Sequence, residues 1–427
     1  MILKKNFINK KIAGNFFYLM FARLVNYITP LLSLSYLIKT LGLQSFGLLS
    51  TALSLAFFFG SIVDFGFEIL GVKTISQKKF FLSECNKIFS TIIVWKAIIF
   101  LMLLVLYFLI IVSISSFRLN QNLFLICTGV FLSRVFIMDW FFQGLEKMGY
   151  IVITNTIANS IYLLGIFWTV HSSEELHLVV LFKSLGLIFA SVLSFCIAVS
   201  KFKLKFNLNV FENKIFLKES THIYLSVLAS SLLQNTPVIL ISSIFNLYIT
   251  GLYSSIEKII SFGKQILHTT NLAFFPQLSE AYNDNKKSFL ILWKKQTVLL
   301  FGLSFILAIA LVLFKTEIFM LLSINQALDS AYNSFYLTML LLLVTFTMIN
   351  SIGFNLLLIQ GKNIQISISQ VIPTTLFFLA FFLFKNQIDS LTVFALALLS
   401  VDILVVLIRL FFINTNKKVT NEQNTYY

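Results

Sequence analysis

Charged side chains are scarce in this sequence of 427 residues. Aspartate, glutamate, lysine and arginine make up 11% of it, whereas 58% is hydrophobic and the mean hydropathy is +0.91. Because soluble domains carry about a quarter charged residues, this composition excludes an ordinary soluble protein. Apolar runs of roughly 20 residues, the length that a helix needs to cross a bilayer, recur along the chain. The sequence therefore predicts an all-α membrane protein.

Cysteine is scarce as well, and its three occurrences show no paired spacing. Cys85, Cys127 and Cys196 stand far apart, which argues against both a disulfide framework and a metal site. The sequence also lacks a phosphate-binding loop of the G-x-x-x-x-G-K-[ST] type, so we do not expect direct use of ATP. No cofactor and no metal is predicted.

The apolar windows predict about 12 transmembrane helices in two six-helix lobes around a central cavity. Their approximate ranges are 14–38, 46–71, 89–113, 120–142, 150–170, 177–199, 217–246, 250–275, 295–314, 331–358, 364–384 and 391–412. The basic N-terminus lacks a small-residue cleavage site, so we expect a retained first span rather than a signal peptide. The predicted parts are an N-terminal lobe (1–199), a basic cytoplasmic connector (200–216) and a C-terminal lobe with a short basic tail (217–427).

The net charge of +15 follows a topological pattern. Most lysines between the spans fall in alternate connections, and the other connections hold only Lys39, Arg118, Lys315 and Lys385. Because basic residues favour cytoplasmic loops, both termini are predicted to be cytoplasmic. This pattern explains the charge without nucleic acid, which is not an expected partner.

Two stretches of the chain resemble each other. Thr-Pro pairs at 29–30 and 236–237 lie inside the first and seventh predicted spans, and Gly47 and Gly251 open the next spans. This match indicates two halves of the same orientation, related by an axis along the membrane normal. The two prolines would bend corresponding helices.

Polar residues at helical spacing line one face of the second span and one face of the eighth. The two faces comprise Ser50, Ser54, Ser61, Asp64 and Glu68, and Ser254, Glu257, Ser261, Lys264 and His268. Residues three, four or seven positions apart share a helix face, and ionisable groups within a membrane usually face the bundle interior. Each half is therefore predicted to line the cavity.

Other charges within the spans have two predicted fates. Those near span ends, which are Lys96, Lys183, Asp139 and Arg409, are expected to extend to the lipid headgroups. Arg23 and Asp64 should lie at similar depth on neighbouring spans, and we expect them to form an ion pair.

Three segments, in this order, resemble the polysaccharide transporter family, the O-antigen flippases known as Wzx. They are residues 22–76, which include Asp-Phe-Gly-Phe at 64–67, "DWFFQGLEKMGYIVITN" at 139–155 and "FFPQLSEAY" at 274–282. The resemblance implies a member of the multidrug/oligosaccharidyl-lipid/polysaccharide exporter superfamily. Such a protein would lie in the bacterial inner membrane and flip a short oligosaccharide on undecaprenyl pyrophosphate outward through a cavity of alternating access. The polysaccharide polymerase and chain-length machinery would be further partners.

This substrate assigns roles to the polar residues in the spans. The pyrophosphate would bind cations, and the candidates are Arg23, Arg134, Lys258 and Lys264. Sugar hydroxyls would bind Asn26, Ser33, Ser230, Gln234 and Asn235. An ion gradient is the expected energy source, and the carboxylates either carry the coupling ion or balance the cations. The candidates are Asp64, Glu68, Glu257 and Asp402.

Three other functions stay open at this point. A multidrug-type ion-coupled antiporter would share the fold, although a drug-cation exporter should have an acidic cavity. A polytopic polysaccharide polymerase would need reactive groups in an outer loop, and only the loop with His171, Glu174, Glu175 and His177 offers them. A flippase for another lipid-linked glycan would look the same in sequence.

Overall fold

The computed structural model confirms an all-α membrane fold. It describes residues 2–78, 80–206, 214–284, 286–321, 330–360 and 362–423, and these residues form helices and no strand. Some side chains within these ranges lie outside the description, including those of residues 2–17, Arg23 and residues 414–423.

Sixteen α-helices account for most of the described chain. They are α1 (Ile2–Asp64), α2 (Phe67–Lys78), α3 (Leu82–Ser113), α4 (Ser115–Arg118), α5 (Gln121–Phe136), α6 (Asp139–Gly144), α7 (Gly149–Thr169), α8 (Leu176–Phe202), α9 (Lys214–Ile244), α10 (Leu247–Asp284), α11 (Lys286–Leu313), α12 (Lys315–Leu321), α13 (Ser330–Met348), α14 (Asn355–Ile359), α15 (Asn363–Phe384) and α16 (Leu391–Gln423). A π-helical turn, Ile349–Phe354, joins α13 to α14.

Ten stretches of the described chain are long and apolar enough to cross a membrane. The first, Met20–Lys78, has 59 residues, more than twice the length that one crossing needs. It bends sharply at Gly42, where φ is 76° and ψ is 162°, a conformation that glycine adopts at little cost. Helix α10 has 38 residues but is not among the ten. The number 12 stays a prediction.

Small residues bring helices close together in the first of two compact units, residues 1–251. Within it, α8 packs against both α5 and α7. A Cβ atom on Gly129 would lie 2.7 Å from Cβ of Ser184, and one on Gly186 would lie 2.5 Å from the carbonyl oxygen of Ala158. Close backbone approach at small residues is a common basis of helix association in membranes.

The second compact unit comprises residues 252–427. Its helix α16 packs against α13 and α15, and α11 packs against α13. Helix α9, which the sequence analysis assigned to the C-terminal lobe, instead makes its contacts with α1 and α2 in the first unit. The predicted lobe boundaries therefore stay a prediction.

The two glycines matched by the internal repeat touch each other within the first unit. A Cβ atom on Gly47 would clash with the carbonyl oxygen of Leu247, and one on Gly251 would clash with the carbonyl oxygen of Leu43. Helix α1 and the start of α10 therefore cross with their backbones in contact, which only glycine at both positions permits.

We expect Gly47→Ala to destabilise the protein, because the added methyl group would force the two backbones apart. Overpacking of this kind costs about 1–3 kcal/mol. Gly302→Ala is the matched control, since a Cβ atom there meets nothing within 4 Å. Thermal unfolding of the purified protein in detergent measures the difference. Equal unfolding temperatures for Gly47→Ala and wild type would contradict the close crossing.

Candidate functional site: a charge network between two interrupted helices

Two predicted continuous spans are interrupted at neighbouring places in the first unit. Helix α1 ends at Asp64, and the chain passes through Phe65 and Gly66, with φ of 42° and 73°, before α2 begins. Helix α5 ends at Phe136, and α6 begins at Asp139. The predicted spans 46–71 and 120–142 therefore each contain a helix break, which an apolar window does not register.

The two breaks lie together because their helices are paired. Before the breaks α1 packs against α5, after them α2 packs against α6, and α3 contacts α1, α2 and α5. Gly71 of α2 allows the close approach, since a Cβ atom there would lie 2.7 Å from the ring of Trp140. Discontinuous helices in transporters commonly form substrate and ion sites.

Lys96 of α3 lies at the junction of these helices and is fully buried. Its Nζ donates hydrogen bonds to Oδ1 of Asp64 at 2.8 Å and to the carbonyl oxygen of Arg134 at 3.1 Å. The prediction that Lys96 extends to the headgroups is wrong. Helix α3 begins at Leu82 rather than at residue 89, which places Lys96 14 residues, or about 21 Å, from the helix start.

Arg134 occupies the more open side of the same network. Its Nη1 lies 3.5 Å from Oδ2 of Asp64 and 3.8 Å from Oε1 of Glu68. The side chains of Arg134 and Glu68 are 32% and 42% exposed, against 11% for Asp64. The Arg134 stem lies against Gly60, where a Cβ atom would be 3.3 Å from its Cγ. The guanidinium group is therefore balanced by two carboxylates, and the side chain that carries it stays partly exposed.

Asp139 adds a third carboxylate to this network. It lies in the first turn of α6 and interacts electrostatically with Arg134. Its Oδ1 atom is buried without a hydrogen-bond partner in the described part of the chain. The expectation that Asp139 extends to the headgroups is therefore wrong for this oxygen. Although the break at 65–66 ends α1 between them, Asp64 and Glu68 both lie beside Arg134.

Helix α9 covers the end of α1 beside this network. The Ser231 hydroxyl donates to Oγ of Ser61 at 2.6 Å, and the Ser220 hydroxyl donates to the carbonyl oxygen of Phe65. The rings of Phe65 and Tyr224 stack with their centroids 4.5 Å apart. These contacts close the space between α1 and α9 at this end of the first unit.

The predicted sugar-contacting residues lie on α1 and α9. Asn159 of α7 donates a 2.7 Å hydrogen bond to Oδ1 of Asn26. Ser33 is 2% exposed, and its hydroxyl lies 3.4 Å from that of Tyr162. In this conformation Ser33 offers no open surface to a sugar.

On α9 the amide of Asn235 donates to Oγ of Ser231 at 3.1 Å. Gln234 is exposed, and Ser230 is partly buried. The role of these residues in sugar binding stays a prediction.

The Arg23 side chain lies outside the described residues, so its pairing with Asp64 stays a prediction. Asp64 already has two cationic partners in Lys96 and Arg134. The sequence pattern singled out Asp64 and Arg134 but gave no sign that they form an ion pair, and it predicted Lys96 at the lipid headgroups. An earlier start for the third span would have revealed Lys96.

The charged candidates of the second unit are Glu257, Lys258, Lys264 and Asp402, and Asp402 interacts electrostatically with Lys264. The Ser261 hydroxyl donates to the carboxylate of Glu257, and the Thr345 hydroxyl donates to Oδ2 of Asp402 at 2.9 Å. Nζ of Lys264 lies 5.8 Å from the ring centroid of Phe346. Lys258 is partly buried on α10.

Arg409 of α16 is buried, so the prediction that it extends to the headgroups is wrong. Its Nη1 donates to the carbonyl oxygen of Ile349 at 2.9 Å, and its Nε donates to Oγ of Ser369 at 3.0 Å. The guanidinium group instead satisfies a carbonyl at the π-helical turn.

A buried amide network joins three helices of the second unit, and no sequence signal revealed it. Asn271, Gln296 and Asn355 are each at most 2% exposed. Oδ1 of Asn271 accepts hydrogen bonds from Nε2 of Gln296 at 2.8 Å and from Nδ2 of Asn355 at 2.9 Å. The three residues lie on α10, α11 and α14.

Comparison with known proteins agrees with this architecture. Residues 12–282 match the family described as "Polysaccharide biosynthesis protein". A protein of Escherichia coli (strain K12) named "Putative O-antigen transporter" is 23% identical over 320 residues, which cover 74% of this chain and 76% of that protein.

Two solved structures share the fold. An outward-facing multidrug resistance MATE family transporter of the MOP superfamily aligns with a TM-score of 0.66 and 13% identity, over 97% of this chain and 96% of that chain. The lipid II flippase MurJ, in an inward closed conformation, aligns with a TM-score of 0.65 and 17% identity, over 93% and 87%. These findings confirm the resemblance read from the sequence: the chain belongs to the polysaccharide biosynthesis protein family and is a multi-pass membrane protein with a MATE- and MurJ-like fold.

Proposed function

We propose that this protein flips undecaprenyl-pyrophosphate-linked O-antigen or related repeat units from the cytoplasmic to the periplasmic leaflet by alternating access. Its family and its E. coli relative support a lipid-linked polysaccharide flippase in a bacterial inner membrane. The structural observation that carries the proposal is the partly exposed Arg134 side chain, whose Nη1 is held by contacts of 3.5 and 3.8 Å rather than by short hydrogen bonds.

A pyrophosphate suits this guanidinium group chemically. Arginine presents a planar fork of donors that matches phosphate oxygens, and its charge-assisted hydrogen bonds are strong. An incoming pyrophosphate would replace Glu68, the more exposed of the two carboxylates beside Arg134. Arg23, Lys258 and Lys264 would supply further positive charge along the path. The sugars would bind Asn26, Ser33, Ser230, Gln234 and Asn235 when α1 and α9 separate.

Alternating access requires that the contacts between α9 and the end of α1 break and re-form. With both termini cytoplasmic, this closed end faces the cytoplasm, where the substrate would enter. Opening would break the hydrogen bond between Ser231 and Ser61 and the stacking of Tyr224 on Phe65. The Thr-Pro pair at 236–237 lies further along α9 and would bend it.

An ion gradient is the proposed energy source, and the carboxylates within the spans are the proposed ion sites. Glu68 is released when a pyrophosphate takes Arg134, so it could accept the coupling ion at that step. Asp64 is bound by Lys96 at 2.8 Å and serves better as a fixed counter-ion. Glu257 and Asp402 are the corresponding candidates of the second unit.

The loop that contains His171 and Glu175, which would carry the reactive groups of a polymerase, does not favour that function. Oε2 of Glu175 accepts the backbone N–H of Ser172 at 3.0 Å and that of His171, and so it caps the helix start. A drug-cation antiporter shares the fold, but the partly exposed Arg134 side chain within the spans favours an anionic substrate. The polymerase and the chain-length machinery are proposed as partners rather than as activities of this chain.

Loss of the Arg134 charge should abolish surface polysaccharide. We expect Arg134→Ala to lose display and Arg134→Lys to retain part of it, because lysine keeps the charge but not the fork. Arg118→Ala, which changes an exposed arginine of α4, is the matched control and should display normally. Surface glycan and membrane abundance are measured together. Full display by Arg134→Ala at normal abundance would refute the role of this residue.

A disulfide across the α1–α9 contact should stop transport. In a background without Cys85, Cys127 and Cys196, we combine Ser61→Cys with Ser231→Cys, whose hydroxyl oxygens lie 2.6 Å apart in the native protein. Oxidation should block surface display and reduction should restore it, while each single variant stays active. Continued transport with the disulfide fully formed would contradict opening at this place.

An imposed proton or sodium gradient should accelerate translocation in proteoliposomes. If Glu68 carries the ion, Glu68→Gln should lose the response to the gradient while it keeps the slow rate measured without one. If Glu68 only balances Arg134, the response should persist. Wild-type transport that ignores both gradients would count against ion coupling.

A further inference from the structure

Lys96 lies in an unusual place for a lysine of a membrane protein. Its side chain is fully buried, whereas a lysine within a membrane normally extends to the interface. Burial of a charged amine is costly unless it is paired and hydrogen-bonded. Neighbouring groups must therefore compensate the charge of Lys96, and the identity of those groups indicates its role.

Two helix ends and one carboxylate surround the Lys96 amine. Helix α1 ends at Asp64, and helix α5 ends at Phe136, two residues after Arg134. The C-terminal end of a helix carries partial negative charge and unpaired carbonyl groups. Lys96 satisfies one of these carbonyls, that of Arg134, and pairs with Asp64 at the end of the other helix.

The two cations contact different oxygens of the Asp64 carboxylate. Lys96 holds Asp64 at 2.8 Å, whereas Arg134 lies 3.5 Å from the other oxygen of the same carboxylate. Without Lys96, the Asp64 carboxylate would be free to bind Arg134 with both oxygens, in the bidentate geometry that arginine favours. The guanidinium group would then be occupied by a buried partner.

We propose that Lys96 is a positioning residue for Arg134. It neutralises Asp64 and anchors the end of α5, so that the Arg134 guanidinium group stays available to the diphosphate of a lipid-linked substrate. This inference rests on the proposed function and adds to it a residue that does not itself touch the substrate.

Three helices of the second unit are joined at one buried point by uncharged side chains. There, Asn271, Gln296 and Asn355 join α10, α11 and α14 through neutral amides. A buried ion pair is weak evidence for stability, since hydrophobic or neutral replacements are often as stable. The charge of Lys96 is therefore better explained by the need to control Asp64 and Arg134 than by helix packing.

The test measures binding of undecaprenyl diphosphate to the purified full-length protein in detergent. Lys96→Gln should weaken binding by at least about tenfold, since the uncompensated Asp64 carboxylate would then engage Arg134. The double variant Lys96→Gln/Asp64→Asn should bind as tightly as Asp64→Asn alone, because the carboxylate that Lys96 controls is absent from both. Lys87→Gln, the same change on the same helix, is the control and should bind like wild type.

Two binding results would overturn the proposal. Unchanged binding by Lys96→Gln at normal abundance would show that the amine does not position Arg134. Failure of Asp64→Asn to restore binding in the double variant would show that Lys96 contacts the diphosphate itself or is needed only for folding.

A second readout does not depend on the substrate. Phenylglyoxal modifies accessible arginines, and mass spectrometry identifies the Arg134 peptide. Modification should be slower in Lys96→Gln than in wild type and should recover in the double variant. If wild type does not bind undecaprenyl diphosphate, the proposed function fails, whereas the modification rates still decide the role of Lys96. Equal rates in wild type and Lys96→Gln would refute it.

Discussion

The buried amine of Lys96 is the constraint on which the charged site of this protein depends. A positive charge within a membrane protein needs partners at fixed positions. Those partners exist only because α1 and α5 end side by side, at Asp64 and Phe136. The interruption of two helices, the position of α3 and the accessibility of Arg134 are therefore parts of one arrangement.

This arrangement gives the network a fixed part and an exchangeable part. Lys96 and Asp64 are bound at 2.8 Å and are almost fully buried, whereas Arg134 and Glu68 are 3.8 Å apart and partly exposed. A transporter needs such a division, because its binding groups must be preorganised for the substrate and yet release it. The amide network of the second unit, by contrast, contains no charged side chain.

Hydropathy predicted the all-α membrane fold, because the lengths of apolar runs are a local property of the sequence. The repeat singled out Gly47 and Gly251 but did not predict that they meet in the structure. Three details were beyond these patterns. The left-handed turn at Phe65 and Gly66 breaks a span without any loss of hydropathy. The true start of α3 places Lys96 deep in the protein, and the amide network joins residues far apart in the chain.

The most direct test of the account compares two lipid-linked substrates that differ by one phosphate. Purified protein in proteoliposomes would receive the same oligosaccharide on undecaprenyl diphosphate and on undecaprenyl monophosphate, and its arrival in the opposite leaflet would be measured. The account predicts translocation of the diphosphate form and much slower translocation of the monophosphate form, because the Arg134 guanidinium group would have one phosphate group fewer to bind. Equal rates for both substrates, or no translocation of either, would contradict it.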